Sequence, residues 1–150
     1  MRRLKWQKMT RIDFYTNVAD PQAFACRLAD TVQRKQERLL IWLDSEREVE
    51  VFSNRLWSFG DTRFVPHCRL EAPEAGQTPV WLTARLPDDL AHPVLLNLGP
   101  QLPYAIERFE RILEIVGRDP ASLATARERF RAYREHGCEV QHHDMSQTSS

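Results

Sequence analysis

The chain has 150 residues, 42% hydrophobic and 28% charged, which is about one ordinary domain with enough apolar side chains for a core and none of the apolar-poor balance of a disordered protein. Its 21 Lys and Arg are matched by 21 Asp and Glu, so no overall field holds it to nucleic acid and electrostatic recognition must be local. The longest apolar run, Leu39-Leu40-Ile41-Trp42-Leu43, is far short of the roughly 20 residues that cross a bilayer, and no membrane partner is expected.

Residues 1–10 read as a basic, irregular leader without the apolar stretch or small-residue cleavage site of a secretory signal. One domain is expected over residues 11–143. Arg11-Ile12-Asp13-Phe14-Tyr15 alternates as a strand does. Asp20-Pro21 pairs a capping side chain with a proline suited to a first helical turn, and Phe24, Leu28 and Val32 recur every four residues, predicting an amphipathic helix to about Gln36. Leu39 to Leu43 is short and apolar on both sides, the pattern of a buried parallel strand. Ser45 with Glu48 makes a capping box for a second helix, on which Val49, Phe52 and Leu56 share a face. Further strands are expected at Phe64-Val65, Val80-Trp81-Leu82-Thr83 and Val94-Leu95-Leu96-Asn97-Leu98.

The last third reads as helical. Ile106, Phe109, Ile112, Leu113 and Val116 have three- and four-residue spacing, with Gly117 placed to end the helix. Asp119-Pro120 opens a final helix with Leu123, Ala126, Phe130 and Tyr133 on one stripe and arginines around it, closed by Gly137. Residues 144–150 read as a flexible polar tail, with His142-His143 just before it. Strands alternating with helices define an α/β fold with a largely parallel central sheet covered on both faces.

The chemistry of known sites finds little support. The five glycines, Gly60, Gly76, Gly99, Gly117 and Gly137, are too far apart to form a phosphate-cradling loop, so no nucleotide cofactor is expected. Cys26, Cys68 and Cys138 are odd in number and widely spaced, which suits reduced thiols in the cytoplasm. His67-Cys68 and His142-His143 lack metal-ligand spacing, so no metal is expected. Asp44 follows a parallel strand, where ligands commonly bind in α/β sheets; Asp-Ser directly before a helix is better explained by capping. No catalytic residue is assigned.

Two clusters look like binding surfaces. In the first, Leu56-Trp57-Ser58-Phe59 lies near Phe64-Val65-Pro66. If Val49, Phe52 and Leu56 face the sheet, Trp57 is rotated by about 100° to the edge of that face, and aromatic residues at such edges are enriched in interfaces. In the second, Arg127, Phe130, Arg131 and Arg134 share a helix face by their spacing. Guanidinium groups around a ring suit an acidic peptide with an apolar end. The alternative is direct binding of single-stranded nucleic acid by the same arginines, which the neutral net charge and the lack of several spaced aromatics disfavour.

These clusters, in this order and in a chain of this size, resemble the chi subunits of bacterial DNA polymerase III. The resemblance is carried by Phe14-Tyr15, Leu56-Trp57, Phe64-Val65-Pro66-His67 and Ala126-Arg127-Glu128-Arg129-Phe130-Arg131-Ala132-Tyr133-Arg134, and spans most of residues 11–137. It implies a single Rossmann-like α/β domain acting as a non-catalytic accessory subunit of the clamp-loader assembly. In that family the subunit bridges the psi subunit and the acidic C-terminal tail of single-stranded DNA-binding protein, a tail ending in aspartates followed by Ile-Pro-Phe, so DNA is met mainly indirectly. Matching positions imply that Arg127, Phe130, Arg131 and Arg134 form the tail-binding surface, with Val116 near its apolar pocket. They also imply that Trp57, Phe64 and Pro66 lie at or near the psi interface. Some relatives have Tyr where this chain has Phe130, which loses a hydroxyl and keeps the stacking surface.

Overall fold

A computed structural model describes residues 9–58, 65–87, 92–103 and 105–146. In chain order the elements are β1 (Arg11–Val18), α1 (Pro21–Arg34), β2 (Leu39–Trp42), α2 (Glu46–Trp57), β3 (His67–Arg69), β4 (Val80–Thr83), β5 (His92–Asn97), β6 (Phe109–Gly117), α3 (Pro120–Glu135) and β7 (Glu139–Asp144), with 3-10 turns at Pro73–Gln77 and Ile106–Arg108. The strands form one sheet in the order β3-β4-β2-β5-β6-β1-β7. Every neighbouring pair is parallel, as expected for an α/β domain.

The helices begin where the local chemistry places them. Asp20 accepts a hydrogen bond from the Ala23 amide ahead of Pro21, and Ser45 Oγ accepts one from the Glu48 amide at 3.2 Å. Each satisfies a donor that a first helical turn leaves without an intrahelical partner. Asp44 is exposed beside this cap. Ala25, Ala29 and Val32 of α1 and Val49, Phe52 and Leu56 of α2 pack on Ile41, Leu82 and Leu96, filling one face of the sheet. On the other face, Tyr133 of α3 joins Ile12, Phe14, Leu40, Leu95 and Ile112. All four residues of β2 are buried, because both faces of a central parallel strand are covered.

The segment expected to be a helix over 106–116 is instead a 3-10 turn followed by β6. Apolar residues at 109, 112, 113 and 116 fit helical spacing, but this strand lies between β5 and β1 and is covered on both sides, so tertiary pairing overrides the period. Leu113 faces α1 and α2, whereas Ile112 and Val116 face α3. The strand expected at Phe64-Val65 is also displaced. Val65 and Pro66 precede β3, which starts at His67, and Phe64 lies outside the described residues.

The end of the chain differs as well. Residues 139–144 form β7, the sheet's edge strand beside β1, so His142 and His143 belong to the sheet. Asp144 closes that strand, and the Met145 amide still donates to Thr16 O at 2.9 Å. At the other end, Thr10 is buried and its Oγ1 donates to Phe109 O at 2.8 Å; residues 1–8 lie outside the described residues.

A charged cluster sits on the α1 side of these last strands. The Asp13 carboxylate, with no exposed side-chain surface, lies 2.7 Å from Arg111 Nε, 2.7 Å from His143 Nε2 and 3.2 Å from Arg11 Nε. Burial raises the Asp13 pKa, but hydrogen bonds from His143, Arg111 and Arg11 outweigh it and hold the carboxyl below its ordinary value. The cluster ties β1 to β6 and β7 through side chains as well as backbone.

Candidate docking site

Asp119 starts α3 by accepting from the Ser122 amide at 2.9 Å and the Ser122 hydroxyl at 2.7 Å. These hydrogen bonds hold its carboxyl below the usual range. Gly137, at φ +77°, ends the helix. Its amide reaches Arg134 O and the Cys138 amide reaches Tyr133 O, the paired reverse hydrogen bonds of a left-handed helix terminus.

Between these ends the four arginines separate by helical geometry, since residues two apart differ by about 200°. Arg129 turns inward. Its Nη1 lies 2.6 Å from Glu114 Oε1, and its Nη2 donates to Gly99 O at 2.7 Å. Glu114, only 2% exposed on β6, also accepts from Tyr133 Oη at 2.5 Å and Asn97 Nδ2 at 3.0 Å. Asn97 and Glu114 are register partners on β5 and β6. Burial pushes the Glu114 carboxyl up, opposed by Arg129 and by the hydrogen bonds from Tyr133, Arg129 and Asn97. Burial likewise raises the Tyr133 hydroxyl, with the Glu114 charge adding to the shift.

With Arg129 held inside, Arg127, Arg131 and Arg134 are exposed on the opposite side of the helix. They line a groove of about 600 Å³ together with Phe130 and Glu135. Phe130 is half-buried: its ring packs edge-on to Phe14 at 6.3 Å between centroids, and the Arg134 guanidinium lies 5.6 Å from its centre. The groove therefore offers three hydrated cations around a fixed apolar ring, a surface able to pair carboxylates while covering an apolar group.

The structure brings Arg127, Phe130, Arg131 and Arg134 together, and it places Val116 elsewhere. Val116 is 3% exposed and lines a separate cavity of about 350 Å³ under the first half of α3, with Asn97, Glu114 and Arg129. It shares only the apolar cluster behind Phe130. Leu123, expected in the buried stripe, is 37% exposed. Trp57 is 63% exposed at the end of α2, edge-on to His67 of β3 at 5.8 Å. His67 is fixed by Ser53 Oγ at 3.0 Å and Val65 O at 2.7 Å, and Pro66 is half-buried beside it.

Sequence reading missed the anchor formed by Glu114, Asn97 and Arg129. Its signal was a lone acid between Leu113 and Ile115, legible only once that segment is read as a strand. Among the described residues, no group of three or more His, Cys, Asp or Glu side chains could hold a metal ion, and no helix is long and apolar enough to cross a membrane. None of the three cysteines is in a disulfide, and burial pushes the Cys26 thiol up to about 11.

Among the described residues, fold and groove together define an α/β domain with a parallel seven-stranded sheet and a cationic, ring-bearing groove along α3. The family model described as DNA polymerase III chi subunit, HolC, matches residues 9–141. The chain is 37% identical over 141 residues to the DNA polymerase III subunit chi of Pseudomonas aeruginosa, covering 91% of this chain and 98% of that protein. It is 30% identical over 119 residues to the subunit chi of Haemophilus influenzae, covering 77% of this chain and 81% of the relative. The chain belongs to the DNA polymerase III chi subunit family.

Proposed function

We propose that this chain is a non-catalytic adaptor of the clamp-loader assembly that joins the psi subunit to the acidic C-terminal tail of single-stranded DNA-binding protein. The observation that carries the tail-binding half is the outward face of α3, where Arg127, Arg131 and Arg134 stay exposed around Phe130 while Arg129 is held inside. Exposed guanidinium groups pair with the tail's aspartates, and the ring receives its apolar end. The psi half is supported by the exposed indole of Trp57 beside Pro66 and His67, since aromatic residues anchor interfaces.

Titration of a peptide ending in Asp-Asp-Asp-Ile-Pro-Phe is expected to give binding that weakens with salt and falls by about tenfold or more in Arg127→Ala. Equal affinity of the two proteins would remove the site. Bare single-stranded DNA, titrated in parallel, is expected to bind far more weakly than the peptide; the reverse order would favour direct nucleic-acid binding. For the other end, Trp57→Ala is expected to lose the psi subunit in co-purification while keeping the peptide. Retention of psi would move that interface away from Trp57.

A further inference from the structure

The α3 groove has a histidine neighbour on β7. Successive strand residues point to opposite faces of a sheet, so the adjacent histidines of β7 part company. His143 is engaged on the α1 side, with Nε2 2.7 Å from Asp13 Oδ1 and its ring stacked on Tyr15 at 4.8 Å. His142 lies on the α3 side. Its ring stacks on Phe14 with centroids 5.6 Å apart and 18° between planes, and it lies 5.1 Å from the Phe130 ring.

Two aromatic neighbours thus fix the orientation of this imidazole, while the residue stays exposed. Among the described residues, neither His142 ring nitrogen has a hydrogen-bond partner. An imidazole carries at least one N–H donor in its neutral and charged forms alike. A donor already held in one orientation gives up little freedom on binding. It stands next to the ring around which the exposed arginines gather, on the edge strand of the sheet.

We propose that His142 is a binding residue of the same groove, donating a ring N–H to a carboxylate or carbonyl oxygen of an acidic peptide whose apolar side chain lies against Phe130. This rests on the docking role of α3 and extends the site from the helix onto the sheet edge. The occupant follows from charge: the exposed Arg127, Arg131 and Arg134 outnumber the single acid, Glu135, lining the groove.

The test uses the intact chain and the peptide ending in Asp-Asp-Asp-Ile-Pro-Phe, comparing wild type, His142→Phe, His142→Ala and Arg127→Ala. His142→Phe keeps a ring against Phe14 and removes the donor. It is expected to bind about fivefold or more weakly, the scale of one hydrogen bond, with its thermal unfolding midpoint unchanged. His142→Ala is expected to lose at least as much. Wild-type affinity in both histidine variants, with binding lost in Arg127→Ala, overturns the role of His142 and leaves the α3 groove standing. Wild-type affinity in Arg127→Ala as well overturns both.

Discussion

Glu114→Ala is expected to lower the unfolding free energy by about 3–5 kcal/mol, the usual cost of removing one partner from a buried charge pair. The loss is large because three groups lose an acceptor together. Arg129 Nη1 keeps its charge with no opposite charge beside it, and Tyr133 Oη and Asn97 Nδ2 lose the oxygen they share. Arg129 would retain only Gly99 O, and Asn97 would retain Gln101 O. Urea unfolding at neutral pH measures the effect, and a loss under about 1 kcal/mol would show that the network contributes little. The same variant is expected to weaken peptide binding even where it is fully folded, since Arg129 fixes the rotation of α3 that sends Arg127 and Arg131 outward.

Asp13→Asn is expected to cost about 2–3 kcal/mol at neutral pH, in line with charge-assisted hydrogen bonds to a buried acceptor. The size of that loss should depend on pH. The folded-state pKa of Asp13 is lowered from 3.8, so its ionised form binds its partners more tightly in the folded protein than in the unfolded chain. The resulting stability is fully present above the unfolded pKa and is lost as pH falls through the folded value. Stability curves of wild type and Asp13→Asn are therefore expected to run fully apart above about pH 5, to start drawing together as pH falls through about 4, and to meet only below the lowered folded pKa of Asp13. A gap constant from pH 7 to pH 3 would show that the ionised carboxylate is not the source.

Much of the first half of the fold was legible because its signals were local. The caps at Asp20 and Ser45, the apolar stripe of α2 and the short run of β2 each specify their element without reference to distant residues. β6 was misread for a physical reason. Its residues at 109, 112, 113 and 116 satisfy a helical period, and the deciding information lies in its neighbours, whose registers pair Ile112 with Ile12 and Leu95. β7 carries little apolar signal at all, since Glu-Val-Gln-His-His-Asp is half-covered at an edge. The outward arginines were readable by helical spacing. That Arg129 belongs to a different structure from Arg127 and Arg131 was not, because its partner Glu114 comes from the misread strand.

The position of β1 has a consequence for how the protein is made. Its neighbours are β6 and β7 alone, so Asp13 waits for Arg111, 98 residues further along, and for His143, 130 residues further along. During synthesis β1 keeps both edges open until the chain has been extended through β6. Enclosure of β1 thus depends on contacts far along the chain, the long-range closure that slows folding.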